Sequence, residues 1–470
     1  MGKSAIVLAA GHGTRMKSRT HKVLHRVCGK PMIVHILDTL DKVGLDQIIV
    51  VVGQQREAVM ETIAGRADVA IQAEQLGTGD AVRAALPHLR EDTDSVVVLY
   101  GDAPLIQPET LQRLFDTQRS NGAAVAALTA EVDNPTGLGR VFLDDNGQIV
   151  RVVEEKDATE AERANRLINT GVYAYEADAL RASAARLTAD NAQQEFYLTD
   201  TLAILKGDNR AVVPVRVSDV DEIASVNDRV QLAHVEKLCR RQILERWMRA
   251  GVTMVDPDST YIEADVEIEQ DATLLPGTML LGATKVKSFA EIGPNTRLRN
   301  TTVGEYTTVQ YTVAVDSVIG DETHVGPFAY LRPGTVVGNR VKVGDFVEIK
   351  NSRLGDDTKV SHLAYVGDAQ IGRRVNVGCG VITVNYDGEK KHRTVVGDDS
   401  FVGSNVNLIA PVTIGDGAYI CAGSTVTEDV DDDGFVIGRP RQTTKPNYVR
   451  AWKTRKSQQT PSEGGEDRGH

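Results

Sequence analysis

The segment LAAGHGTRM at 8–16, with Lys22 just beyond it, gathers two glycines and two cations in one short stretch. Gly11 and Gly13 let backbone N–H groups approach phosphate oxygens. Arg15 and Lys22 supply fixed positive charge beside such phosphates. In chemistry at phosphorus, positioning and charge neutralisation do most of the catalysis. A divalent cation with hard oxygen ligands, Mg2+, belongs to such chemistry. Asp102, at the end of SVVVLYGD, is the carboxylate candidate. Taken singly, Arg15 and Lys22 are ordinary surface cations and Asp102 a turn aspartate; the glycine loop between strand and helix ties them to phosphate.

These residues need a scaffold, and the surrounding pattern supplies one. Residues 3–8 read as a buried strand, 31–43 as a helix, and 48–53, 69–74 and 95–102 as further strands. Strands alternating with helices imply a Rossmann-like α/β domain with a mostly parallel sheet. Ligands bind at the carboxyl ends of such strands, where both AAGHGTRM and Gly101-Asp102 fall. Residues 229–250 read as a charged amphipathic helix joining two domains.

From about Gly251 the helical spacing disappears. Ile319, Val325, Leu331, Val337, Val343 and Ile349 recur every six residues, as do Val396, Val402, Leu408, Ile414, Ile420 and Val426. A fixed short period marks a solenoid. Each hexad makes one short strand and one turn, with the aliphatic inward and a following glycine, as at Gly338, Gly344 and Gly403, expected to turn the corner. The pattern breaks where Arg332, Lys350 and Ser361 replace that glycine, beside His362, and again at 384–394, which must protrude as a loop. Tyr365, Asn376, Asn385 and Tyr386 lie in the same altered region, and local rules tend to fail at functional sites.

The chain has 470 residues, enough for two or more domains, and a formal charge of -12 that speaks against a nucleic-acid partner. No apolar run is long enough for a membrane span. The four cysteines form no CxxC pair, so ordinary structural thiols in a reducing cytoplasm are expected. His12 and His21 read as bystanders of the glycine loop.

The glycine loop resembles the signature of the sugar-phosphate nucleotidyltransferases, and the hexads resemble the left-handed β-helix of the hexapeptide-repeat acyltransferases. QAEQLGTGDAV, YGD, EEKDA, INTG and SVNDRVQL then follow in the order of the bifunctional family that joins an N-acetylglucosamine-1-phosphate uridylyltransferase to a glucosamine-1-phosphate N-acetyltransferase. The likeness covers about residues 3–450. It implies a nucleotidyltransferase domain at 1–228 and a left-handed β-helix at 251–450, on either side of the joining helix at 229–250; the polar composition of 451–470, low in apolar residues, reads as a disordered tail. It also implies a cytoplasmic homotrimer with acetyl sites between neighbouring β-helices.

The resemblance further implies that Leu8, Ala9, Ala10, Gly11, Gly13, Lys22, Tyr100 and Gly101 cradle UTP, with Gln72, Gly77 and Thr78 around the uracil. Asp102 and Asn227 would hold Mg2+, and Gly139, Glu154 and Asn169 the sugar. In the second half, His362 would be the general base, because a protonated amine cannot attack a thioester. Arg332, Lys350, Tyr365, Asn376, Asn385 and Lys391 would bind glucosamine-1-phosphate, with Asn385 and Tyr386 also counted with acetyl-CoA. Cys379, Ser404, Ala422 and Arg439 match acetyl-CoA contacts, Cys379 standing where relatives often carry alanine. Two other functions keep part of this pattern: a nucleotidyltransferase with a purely structural β-helix, and a scaffold with both sites dead. His362 among its cations argues against the first, and the intact Gly11–Arg15 loop with Asp102 against the second.

Overall fold

The computed structural model describes residues 2–11 and 13–458; His12 and the tail from 459 onward lie outside them. The described residues divide into two compact units, the first ending at Tyr306 and the second beginning at Thr307.

In the first unit, apolar runs form the sheet centre. The strand order is Val212–Arg216, Val125–Glu131, Leu167–Glu176, Thr93–Tyr100, Gly2–Ala9, Gln47–Val52, Asp68–Ile71. Leu167–Glu176 runs antiparallel to both neighbours, while the other pairings along this path are parallel. Arg140–Leu143 and Ile149–Val153 add an antiparallel extension beside Leu167–Glu176. Two buried apolar layers cover the two faces. One holds Ile6, Val98 and Tyr173, the other Val7, Leu99 and Ile36. This alternation follows from successive side chains pointing to opposite faces. Helix Met32–Val43 buries Ile33, Ile36, Leu37 and Leu40, an i, i+3, i+4, i+7 stripe, and ends at Gly44 in the left-handed region.

The boundary between units falls inside the repeat rather than at the 229–250 segment, and the contacts explain why. Helix Arg229–Arg249 and the first hexads are tied to the α/β domain. Cys28 N–H donates to Glu236 Oε2 at 2.7 Å, Ala264 N–H to the Cys28 carbonyl at 2.9 Å, and Lys30 pairs with Asp265 at 2.6 Å.

In the second unit, short strands stack in register into three parallel sheets, the architecture of the left-handed β-helix. Val325, Val343, Val360, Val377, Val402 and Ile420 form one inward column, and all are buried. Burying such a side chain contributes about 1.5–3 kcal/mol, and the column repeats that gain coil after coil. The glycine after each aliphatic has a different task from the one expected. Gly344 and Gly403 have no left-handed φ, but an added Cβ would lie 2.0 Å from the Ser361 carbonyl and 2.5 Å from the Ala422 nitrogen of the next coil. Glycine there permits coil stacking. The corners are turned further on by non-glycine residues with positive φ, including Phe346, Asn351, Asp357 and Leu363.

The tail expectation is corrected in part. Tyr448–Gln458 form an exposed helix, so 451–458 carry secondary structure. A helix-forming run without a periodic apolar stripe reads as disorder from composition alone.

Candidate active sites

Gly2–Ala9 and Thr93–Tyr100 are parallel neighbours with Leu8 opposite Tyr100, so the turns after them leave the sheet at the same edge. Gly101 N–H donates to the Leu8 carbonyl at 3.0 Å and locks the two turns together. A cavity of about 740 Å³ opens there. Leu8, Ala9, Ala10, Gly11, Lys22, Gln72, Gly77, Thr78, Tyr100, Asp102, Gly139, Glu154, Asn169 and Asn227 line it, whereas Gly13, Arg15 and Gly101 do not. Gly13 serves Lys22 from behind: at φ 59° it is left-handed, and a Cβ would lie 2.7 Å from Lys22 Cβ.

Charge converges on Lys22. Its ammonium pairs with Asp102 and donates to Asn227 Oδ1 at 3.0 Å. Arg15 Nη2 donates to the same Asn227 oxygen at 2.9 Å. Val226 N–H donates to the Asp102 carbonyl at 3.0 Å, which ties the chain before helix Arg229–Arg249 to the sheet edge. A carboxylate and an amide oxygen therefore approach one cationic atom. That donor pair is the kind Mg2+ accepts when substrate phosphates and water complete its shell.

The rest of the cavity is organised by hydrogen bonds among its own walls. Gln72 Nε2 donates to the Gly77 carbonyl at 3.0 Å and to Asp80 at 2.8 Å, which orients the amide. Gly77, at φ 113°, has the Phe196 carbonyl 2.6 Å from where a Cβ would stand. Thr78 Oγ1 accepts from Leu198 N–H at 3.1 Å. Asn169 Oδ1 accepts from Tyr173 OH at 2.9 Å. Sequence reasoning missed several walls: Gln75, whose amide donates to the Ala10 carbonyl, the loop residues Gly137 and Leu138, Val220, Asp221 and the segment 223–225, and Gln231 with His234. Gln231 and His234 stand three apart on the helix that SVNDRVQL opens, so helical periodicity signals that pair.

Burial raises the Glu154 pKa, against a 3.4 Å hydrogen bond from Thr199 Oγ1 and the field of Arg140. A carboxyl raised in the folded state is destabilising where it must ionise. Glu154→Gln is therefore expected to raise Tm at neutral pH. The gain should begin to shrink as pH falls through the raised pKa and be gone below the ordinary carboxylate pKa, where both folded and unfolded wild type are protonated. Differential scanning fluorimetry across pH 4–8 checks this; an equal gain at every pH, or none, contradicts it.

In the second unit, Asp345 pairs with His362 across adjacent coils, and His362 Nδ1 lies 2.5 Å from Asp345 Oδ1. That bond holds the Asp345 carboxyl below the usual range. A carboxylate only accepts, so Nδ1 carries a proton, and in the neutral ring that leaves the Nε2 lone pair free. Cys379, Ser404 and Ala422 occupy the same corner on successive coils, two residues beyond the aligned Val377, Val402 and Ile420. Gly423 N–H donates to the Ser404 carbonyl at 2.8 Å, and Arg439 Cδ comes within 3.8 Å of a Cβ built at Gly423. Asn376 sits at the start of this strand row, opposite Phe401.

The cations gather at another corner. Lys350 Nζ pairs with Asp368 at 3.1 Å, and Asp368 also accepts from Asn385 Nδ2 at 2.5 Å and Asn351 Nδ2 at 2.7 Å. Asn385 Nδ2 lies 3.4 Å from Tyr365 OH. Arg332 pairs with Glu348 at 2.8 Å. Lys391 stands close to Lys350, and this neighbouring cation pushes the Lys391 pKa below the ordinary lysine range. Lys391 is placed by the loop that breaks the repeat, through a bridge to exposed Tyr386. Cys28, Cys239 and Cys421 are buried and Cys379 half-buried, all as free thiols.

A MobA-like NTP transferase domain matches residues 5–197, and the bacterial transferase hexapeptide (six repeats) family matches 316–351 and 393–428. The unmatched interval between the two repeat stretches contains His362, Tyr365, Asn376, Cys379, Asn385 and Lys391. Curated relatives named bifunctional protein GlmU come from Brevibacillus brevis and Exiguobacterium sibiricum. Each is 48% identical, covering 95% of this chain and 96% and 100% of theirs. A Geobacillus relative of the same name is 46% identical over 95% of this chain and 97% of its own. The chain belongs to the GlmU family. It is therefore bifunctional, an N-acetylglucosamine-1-phosphate uridylyltransferase and a glucosamine-1-phosphate N-acetyltransferase. The NTP transferase match and the hexapeptide match correspond to the two activities, and GlmU membership makes UTP and acetyl-CoA the co-substrates.

Proposed function

We propose that the cavity of the first unit is the uridylyl-transfer site and that the His362 corner of the second is the acetyl-transfer site. The observation that carries the reading is the convergence of Arg15, Lys22, Asp102 and Asn227 at one edge of the cavity, with Glu154 and Asn169 in the same walls. The sugar phosphate oxygen attacks the α-phosphorus of UTP while the bond to the departing diphosphate breaks. Lys22 and Arg15 neutralise the charge that gathers on the diphosphate, and no protein atom is covalently modified. Asp102 and Asn227 would hold Mg2+, which supplies further charge neutralisation when bound. Gln72, Gly77 and Thr78 meet the uracil, and Glu154, Asn169 and Gly139 the sugar.

At the second site, His362 Nε2 takes a proton from the glucosamine-1-phosphate amine as its nitrogen attacks the thioester carbonyl. Coenzyme A leaves as the thiol. Arg332, Lys350 and Lys391 bind the phosphate, with Tyr365, Asn376 and Asn385 around the sugar. Tyr386, Cys379, Ser404, Ala422 and Arg439 meet acetyl-CoA. The product of this site is the substrate of the other. The assembly is a homotrimer through the β-helix, working in the cytoplasm.

Incubating the enzyme with acetyl-CoA, glucosamine-1-phosphate, UTP and Mg2+ tests the scheme. Thiol and diphosphate release are both expected. Omitting acetyl-CoA should stop thiol release and slow diphosphate release to the rate of the poorer, non-acetylated sugar phosphate, whereas chelating the metal should stop only diphosphate release. Thiol release that needs Mg2+, or diphosphate release as fast without acetyl-CoA as with it, would refute the assignment.

A further inference from the structure

The loop Gly137–Gly139 forms part of the cavity wall, and each of its residues is held by a separate polar contact. Gly137 N–H donates to Glu155 Oε2 at 3.1 Å, the Leu138 carbonyl accepts from Arg140 Nη1, and the Gly139 carbonyl accepts from Asn169 N–H at 2.9 Å. Arg140 and Glu155 also pair directly, Nη2 to Oε2 at 2.8 Å. One carboxylate oxygen thus serves both the loop N–H and the guanidinium. Arg140 is 1% exposed, so its charge is taken out of water and spent on the loop and on Glu155.

The strand register explains why these groups meet. Arg140 lies opposite Val153 across the antiparallel pair Arg140–Leu143 and Ile149–Val153, so Glu154 and Glu155 follow directly beyond it. Glu154 lines the cavity, while Glu155 turns to the clamp. A Cβ at Gly139 would stand 3.3 Å from both Glu154 carboxylate oxygens, so glycine and carboxylate already touch. Gly137 has φ 82°, in the left-handed region, and nothing within 4 Å of where a Cβ would be. The loop has little packing of its own; polar contacts set its position.

We propose that Arg140 and Glu155 are positioning residues that fix the width of the sugar subsite by clamping Gly137–Gly139 against Glu154, and so set its preference for an N-acetylated sugar phosphate. The proposal rests on the reading that Gly139, Glu154 and Asn169 hold the sugar. Neither Arg140 nor Glu155 touches substrate. A relaxed loop would widen the pocket around the acetamido group and reduce the gain from filling it, while the UTP side of the cavity stays as it is.

The test compares full-length Glu155→Gln, Arg140→Lys and Asn169→Ala by steady-state diphosphate release, with N-acetylglucosamine-1-phosphate and glucosamine-1-phosphate as alternative substrates. Glu155→Gln should raise KM for the N-acetylated substrate roughly tenfold, leave kcat and the UTP KM nearly unchanged, and shrink the preference for that substrate in proportion. Arg140→Lys keeps the charge but loses the fork, and should move the same quantities further. Should Arg140→Lys fail to fold, Glu155→Gln decides, because Glu155 keeps 29% of its side chain exposed. An unchanged sugar KM in Glu155→Gln beside a raised one in Asn169→Ala overturns the clamp alone. An unchanged sugar KM in every variant overturns the sugar reading and the clamp together. A parallel rise of both substrates' KM values marks a general defect and overturns the positioning role.

Discussion

Replacing His362 with alanine should lower kcat/KM for acetyl transfer roughly 10²–10⁴-fold, the usual worth of a positioned general base, with diphosphate release within about a factor of two of wild type. The substitution removes the group that accepts the amine proton and little else. The His362 side chain is 55% exposed and pairs with Asp345, so Tm should barely move. Asp345→Asn should fall between wild type and His362→Ala. An amide can donate to Nδ1, which lets the wrong nitrogen carry the proton. Thiol release is the readout, with and without glucosamine-1-phosphate. Acceptor-dependent release at wild-type rate in His362→Ala would remove His362 from the chemistry.

The inward columns of the β-helix were legible because burial forces a period, and six successive hexads in register leave one packing solution. The strand ends that carry Gly11 and Asp102 were legible for a similar reason: an apolar run ends where a glycine begins, and in a parallel sheet that is where ligands bind. The task of the repeat glycines was not legible. A left-handed corner favours glycine and stacking beneath another coil requires it, so the residue type alone does not say which task Gly344 has, and the corner itself falls on Phe346. Nor was the coupling of Cys28 to Glu236, which lies across more than 200 residues of chain. Long-range polar contacts carry no period. The Arg140–Glu155 clamp belongs to the same class: neither residue stands out in sequence, and their meeting depends on a hairpin register. The tail helix escaped because exposed helices lack an apolar stripe.

Lys22→Ala should reduce uridylyl transfer roughly 10²–10³-fold, comparable to losing one preorganised donor to a charge that develops in the transition state. The geometry adds a consequence that ordinary loss of charge would not. The Lys22 ammonium stands where the Asp102 carboxylate and the Asn227 amide oxygen converge, so without substrate it competes for the two oxygens proposed to hold Mg2+. Removing it should lower kcat and, at the same time, lower the Mg2+ concentration needed for half-maximal rate. Asp102→Ala should do the opposite to the metal requirement, raising it while also lowering kcat, because a hard oxygen is lost. Acetyl transfer should be untouched in both. Diphosphate release titrated against Mg2+ at saturating UTP separates the cases. If Lys22→Ala and Asp102→Ala shift the metal requirement in the same direction, Lys22 and the metal do not share these oxygens. Lys22 would then act on phosphate alone, and the pairing with Asp102 would be a resting contact without consequence for the metal.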